Sequence, residues 1–402
     1  MTQNFKGASV YAIETANQPL VFRVKAQAQA TNSLDQKVEV RSLPGMQKEA
    51  IVSSAQSGTW RLVSDEGPYL DGTDLAPFPL AFYSAGLQFC LMSQLLQNAK
   101  AQHIELKALK LDLDSRYTMK GSFLRGDALG GALPAEVHVE LESDASAPAV
   151  KMLLNSALAC SPAHAVMRDV LNNTFSLQLN GQPVALSELQ PSKLSPDPDP
   201  QATTFQSFAS DEQTSFLSDI ISKTQAAKKV QDVAGGVSSS LQPVQDRTLH
   251  VRGHARTLDG TLKQSEVQLL SPIGSAFRFL SEDHNDTQPN RAPSGLAYLS
   301  AGVGFCYMTQ LSRYAHIAKL KVDSIRIVQH NAFSLTGSRA DGSARAGAAP
   351  VNTQVFIEAD EPAEAIDNLV RVGERTCFLH AAMRASYPSR VRATLNGEAL
   401  AL

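Results

Sequence analysis

Shifted by 216 positions, the sequence of this 402-residue chain falls on itself. LAFYSAGLQFCLMSQL (80–95) lies over LAYLSAGVGFCYMTQL (296–311), with ten of sixteen positions identical. Gly121-Ser122 lies over Gly337-Ser338, Pro134 over Pro350 and Asp144 over Asp360. His164-Ala165-Val166-Met167-Arg168 lies over His380-Ala381-Ala382-Met383-Arg384, and Leu179-Asn180-Gly181 over Leu395-Asn396-Gly397. Chance does not place that many matches in one register, so the chain is a tandem duplication. The length suits two domains. The boundaries read as 1–182 for the first copy, 183–244 for a linker and 245–402 for the second copy.

Both copies run through the same elements. Strand-like stretches come first, LVFRVKAQA and KVEVRSL in one copy and TLHVRGHA and SEVQLL in the other. A loop rich in Gly, Asp and Pro follows, DEGPYLDGTDLAPFP or EDHNDTQPNRAPSG. Next is a helix of about twenty residues, apolar almost all round, which demands burial on most faces. LKALKLDLD or KVDSIRIV, a glycine-containing turn, and PAEVHVELES or VNTQVFIEAD supply further strands. A second helix begins near Ala145 or Glu361, and a short strand ending in LNG closes the copy. The fold class is therefore α+β: two tandem domains, each a sheet with two long helices. One small sheet cannot cover the first helix, so the copies are expected to dock on one another as an intramolecular pseudo-dimer. The linker contains the proline-rich PSKLSPDPDPQATTF, which should be extended. SDEQTSFLSDIISKTQAAKKV follows, where Ser210 and Gln213 are spaced as a capping box, predicting an inserted helix.

Composition narrows the function classes. A formal net charge of −3 gives no basic patch for nucleic acid. No apolar run reaches the roughly 18–20 residues that span a bilayer. The N-terminus lacks a basic segment followed by an apolar stretch, so a cytoplasmic location is expected. CxxC, HExxH, GxGxxG, GxxxxGK[ST] and GxSxG are absent, which speaks against a structural metal, nucleotide enzymes and serine hydrolases. No cofactor is implied.

The four cysteines carry the chemistry. Cys90 and Cys160 stand 70 positions apart, Cys306 and Cys377 71 positions apart, and no cysteine lies outside this scheme. A thiolate can attack a peroxide O–O bond and leave a sulfenic acid for a second cysteine to resolve. That chemistry needs a lowered thiol pKa and a partner close by. The plainer role is that of a small core hydrophobe.

The order of strands, acidic loop, cysteine helix, β segment and second cysteine helix resembles the OsmC/Ohr family. DEGPYLDGTDLAPFPLAFYSAGLQFC is similar to that family's stretch from its acidic-Pro loop to the first cysteine. NSALACSPAHAVM resembles the segment bearing the second. SGLAYLSAGVGFC matches in the second copy, with GERTCFLHAAM a looser counterpart. The resemblance implies intertwined α+β thiol peroxidases that normally work as homodimers. It casts Cys90 and Cys306 as peroxide-attacking cysteines, and Cys160 and Cys377 as resolving ones. The implied partners are an organic hydroperoxide and a dithiol reductant; a homodimer of the two-copy chain stays open. The family's glutamate, ten residues before the first cysteine and paired there with an arginine, is replaced by Leu80 and Leu296. His164, His380, Arg168 and Arg384 are the candidate substitutes, the plainer alternatives being helix-end or solvated side chains. Arg61 and Arg278 also repeat. Asp65, Glu66, Glu282 and Asp283 read as loop charges. The competing functions are hydroperoxide reduction, a related thiol fold that binds an apolar ligand or catalyses another thiol-dependent reaction, and a purely structural role.

Overall fold

The computed structural model describes residues 20–25, 33–123, 125–208, 217–227, 246–259, 261–284 and 288–402. In the first half the strands are β1 (Val21–Val24), β2 (Gln36–Ser42), β3 (Lys48–Ser54) and β4 (Gly58–Ser64), then helix α1 (Pro79–Ala101). They continue with β5 (Ala108–Lys120), β6 (Leu129–Ala132), β7 (Glu136–Glu142), helices α2 (Ala147–Ala159) and α3 (Pro162–Arg168), β8 (Thr174–Leu179) and β9 (Gln182–Val184). The second half opens with β10 (Ile221–Gln225), β11 (Asp246–Thr257), β12 (Leu262–Ser271), β13 (Ala276–Glu282) and helix α4 (Gly295–Ile317). It closes with β14 (Val322–Asn331), β15 (Phe333–Thr336), β16 (Arg345–Ala348), β17 (Asn352–Ala359), helices α5 (Ala363–Thr376) and α6 (Phe378–Ala385), β18 (Arg390–Leu395) and β19 (Glu398–Leu400).

The sequence copies are not the structural layers. One sheet runs β1-β4-β3-β2-β14-β17-β8-β9 and the other β10-β13-β12-β11-β5-β7-β18-β19, so each draws strands from both halves. β2 meets β14 antiparallel, from Arg41↔Arg326 to Gln36↔Asn331. β11 meets β5 antiparallel, from Arg256↔Lys110 onward. β8 joins β17 and β18 joins β7 in parallel, the same exchange made a second time. Each half thus lends its outer strands to the sheet whose centre the other half supplies.

Between the sheets the two long helices lie back to back. α1 rests on β11, β12 and β5, while α4 rests on β2, β3 and β14. That placement explains why neither helix has a polar face over its first four turns: residues 79–95 of α1 are all buried. The helices approach at equivalent glycines. A Cβ on Gly86 would sit 2.5 Å from the Leu299 nitrogen, and one on Gly302 would sit 2.7 Å from the Tyr83 nitrogen. Phe82 packs among Phe279, Tyr298 and Phe305 at the same crossing.

One sequence expectation needs correction. The inserted helix is not formed where the chain is described: Ile221–Gln225 is strand β10, paired with β13 through Ile221↔Phe279 and Ser222↔Arg278. An open sheet edge that can bury Ile220 and Ile221 outweighs a local helical pattern. The proposed cap, Ser210 to Phe216, lies outside the described residues. β3, β4 and β13 were also unforeseen. β3 is buried along its whole length, so it lacks the in–out alternation by which strands are read.

Candidate active site

Cys90 occupies the middle of α1, facing the start of α3. Its sulfur lies 3.4 Å from the Ser161 hydroxyl, and Ser161 Oγ lies 3.0 Å from Nδ1 of His164. Ser161 caps α3, accepting from the His164 amide, with Pro162 set at the first helical position. Burial pushes the Cys90 thiol up to about 11, against the opposing pull of Ser161 and the Ala163 amide. Burial, helped by the Arg168 charge, pushes His164 down to about 4. Near neutral pH the resting site is therefore a neutral thiol, a hydroxyl and a neutral imidazole in line.

The second half holds a different pair at the equivalent place. Cys377 lies between α5 and α6, and its sulfur is 3.5 Å from that of Cys306 on α4. Both contacts, Cys90 with Ser161 and Cys306 with Cys377, join residues 71 positions apart. Ser161, not Cys160, therefore stands where Cys377 stands. The expected pairing of Cys160 with Cys90 is displaced by one residue. Cys160 ends α2, and its sulfur turns to Asn98 at 3.0 Å and Gln94 at 3.4 Å, both on α1. All four cysteines are free thiols. Burial, the neighbouring Cys306 sulfur and the Glu374 charge hold the Cys377 thiol well above its ordinary range.

The candidate substitutes for the missing glutamate divide. His164 joins the Cys90 site. His380 is fully buried, stacked on Tyr307 with ring centres 4.9 Å apart and 3.7 Å from Glu374. Arg384 pairs with Glu374. Arg168 binds Asp169 at 2.8 Å and the Ala346 carbonyl at 2.8 Å, its side chain 42% exposed. Arg61 is held by Glu49 at 2.5 Å and Arg278 reaches the Asp219 carbonyl at 3.4 Å. Arg168 thus acts on the thiol site only through its charge on His164.

Groups passed over in the sequence replace them. One turn beyond each helix cysteine a hydroxyl donates to an acid from the other half, half-buried for Asp283 and buried for Glu66. Ser93 donates to Asp283, which is 2.7 Å from the fully buried Lys263. Thr309 donates to Glu66 at 2.7 Å, which is 3.4 Å from the buried Lys48 and accepts from Tyr69 at 3.1 Å. Glu66 and Asp283 are therefore not loop charges. Asp65 is one, accepting from the Thr73 and Leu75 amides, and Glu282 binds Arg291. The guanidinium is also reassigned. Arg339, in the β15–β16 connection, donates to Gln94 at 2.7 Å beside Cys90. In the second half a cation comes from the helix itself: Arg313, two turns beyond Cys306 on α4, lies 4.8 Å over the Phe123 ring, and burial lowers it to about 10. Phe123 and Arg339 are equivalent in the repeat, as are Gln97 and Arg313, so the charge and its seat have exchanged sides.

Access separates the two sites most sharply. Cys90 lines a cavity of about 530 Å³ with Ser93, Gln94, Asp283, Leu296 and Arg339. The cavity touching Cys306 measures about 20 Å³ and is closed by Tyr69, Leu80, Leu249 and Phe378. The first has room for a small organic molecule. The second holds at most a water.

The fold and site define a class: an α+β protein built from exchanged strands, with a cysteine on each buried central helix. Residues 287–392 match the family model described as OsmC-like protein. Similarity is also found to the crystal structure of an OsmC-like hydroperoxide resistance protein from Jannaschia sp. CCS1. It is 17% identical, with 38% of this chain and 96% of that chain covered and a TM-score of 0.26. No curated protein matches. Among the described residues no helix is long and apolar enough to cross a membrane.

Proposed function

We propose that the chain is a single-chain equivalent of a strand-exchanged dimer, and that it reduces hydroperoxides at one of its two sites, through Cys90. The observation that carries this reading is the 530 Å³ cavity on which the Cys90 sulfur borders, against the sealed Cys306–Cys377 pair. The sulfur attacks the outer oxygen of R–O–O–H. The S–O bond forms, the O–O bond breaks, and the thiol proton ends on the departing alkoxide. The products are Cys–S–OH and R–OH. Ser161 and the neutral His164 take the thiol proton as the sulfur attacks, and Arg339 on the cavity wall supplies positive charge where an alkoxide develops. With serine in the place of Cys377, the sulfenic acid is returned by an external dithiol, which leaves as a disulfide while the oxygen departs as water.

The test is steady-state consumption of an organic hydroperoxide in the presence of a dithiol. Cys90→Ser should lose nearly all turnover and Cys306→Ser should keep most of it. Equal losses would remove the asymmetry, and an inactive wild-type protein would remove the activity. A second reading, binding of an apolar ligand, has its own support. A cleft of about 540 Å³ lies over Leu158, Ala346, Pro388 and Val391, with His164 and Arg168 at its wall. Quenching or displacement of an apolar fluorophore that is unchanged in Cys90→Ser would favour that reading.

A further inference from the structure

On the outer face of the nine-stranded sheet, away from every cysteine, three strands bring four metal-ligand side chains into one row. His254 on β11 lies directly across from Asp112 on β5, and Asp112 lies directly across from His138 on β7. Glu140 follows His138 by two positions and so projects from the same face. Ligand atoms of Asp112, His138 and Glu140 all lie within 4.8 Å of one another. His254 Nδ1 is 2.6 Å from the Asp112 carboxylate, and His138 Nδ1 is 3.9 Å from that of Glu140. We propose that these residues form a binding site for a divalent transition metal of the zinc type.

The chemistry of the donors fits such an ion. Two imidazoles and two carboxylates make a nitrogen–oxygen set that suits zinc, copper or nickel better than calcium or magnesium. Bonds of about 2.0–2.2 Å put tetrahedral ligand atoms roughly 3.4 Å apart, so the 4.8 Å group of Asp112, His138 and Glu140 has to contract by up to about 1.4 Å. Partly exposed side chains on neighbouring strands can do that by rotamer changes alone. The backbone beneath is fixed, because the alternate residues Leu111, Leu113, Val137 and Val139 are buried in the core. Directly opposed strand residues hold their Cβ atoms about 4.5–5.5 Å apart, which brings Asp112 within reach of both histidines. Among the cations here, Lys110 is 3.9 Å from Glu140 with its side chain 61% exposed, a contact too loose to withhold the carboxylate, and Arg392 on β18 lies directly across from His138. The inference is independent of the thiol reading, since no group is shared between the two sites.

The experiment is a titration of the fully reduced, metal-stripped protein with Co²⁺, followed by displacement with Zn²⁺. The expected result is one tight equivalent with visible ligand-field bands and no thiolate-to-metal charge-transfer band in the near ultraviolet. His138→Asn should weaken it by about 10- to 100-fold or more, as should the double variant Asp112→Asn, Glu140→Gln. Exposed His316→Asn and the pair Cys306→Ser, Cys377→Ser should leave it unchanged. All these histidine and carboxylate positions point outward, and circular dichroism of each variant checks that it folds. A spectrum carrying the thiolate band, binding indifferent to His138→Asn, or no bound equivalent would overturn the proposal.

Discussion

Replacing Ser161 by cysteine should install in the first half the dithiol that the second half already has. The Cys90–Ser161 and Cys306–Cys377 contacts are 3.4 and 3.5 Å and close the same separation of 71 positions. A disulfide across a loop of that length removes roughly 4 kcal/mol of chain entropy from the unfolded state. Losing the Ser161 to His164 hydrogen bond costs about 1 kcal/mol in either redox state, so comparing oxidised with reduced variant isolates the bridge. The exchanged strands make the chain unfold as one unit. With an unfolding entropy of about 2.1 cal/mol/K per residue, 402 residues give about 0.8 kcal/mol/K. The melting temperature should therefore rise by about 5 °C on oxidation. Thiol counting after mild oxidation gives a second readout. Wild type should keep all four thiols, the Cys306–Cys377 pair being sealed, and Ser161→Cys should keep three, Cys160, Cys306 and Cys377. A wild-type protein in which Cys90 becomes joined to Cys160 would refute the assignment of Ser161 to the partner position.

The helix crossing and the buried histidine give two more expectations. Gly86→Ala forces a Cβ to 2.5 Å from the Leu299 backbone, so it should destabilise the chain by about 1–3 kcal/mol in urea unfolding. A loss under about 0.5 kcal/mol would mean that the halves are not so closely docked. His164 has a folded-state pKa lowered to about 4, so the folded protein binds fewer protons than the unfolded chain between about pH 6.5 and 4. Stability is complete above the unfolded value and is lost as pH falls through that window, by roughly 2–3 kcal/mol at pH 4.5. His164→Asn should flatten this part of the urea-midpoint profile, and an unchanged profile would show that His164 is not buried as described.

Much of the fold was legible because segments matching at a shift of 216 give most elements twice. The central helices were readable from unbroken apolar composition, and β1, β2, β11 and β12 from alternation. The exchange of strands was not, since β2 and β11 carry the same pattern whichever copy supplies the partner. Spacing identified the cysteines yet misassigned a partner by one residue. The 216 shift lays Cys377 over Ser161 and His380 over His164, a register that pairing cysteine with cysteine overrode. Lys48 and Lys263 escaped notice because a lysine in a strand reads as solvent-facing. Only the fold brings each beside an acid from its own half and a hydroxyl from the other. Arg339 was hidden for a related reason, its equivalent in the first half being Phe123.

The central claim is that Cys90 alone is the reactive thiol, and trapping it is the most direct test. The reduced protein would be treated with one equivalent of an organic hydroperoxide together with a sulfenic-acid trap, then digested and mapped by mass spectrometry. The open cavity at Cys90 and the roughly 20 Å³ space at Cys306 predict label on the peptide containing Cys90 and an unmodified Cys306–Cys377 pair. Label at Cys306, or a Cys306–Cys377 disulfide formed before any change at Cys90, would contradict the account.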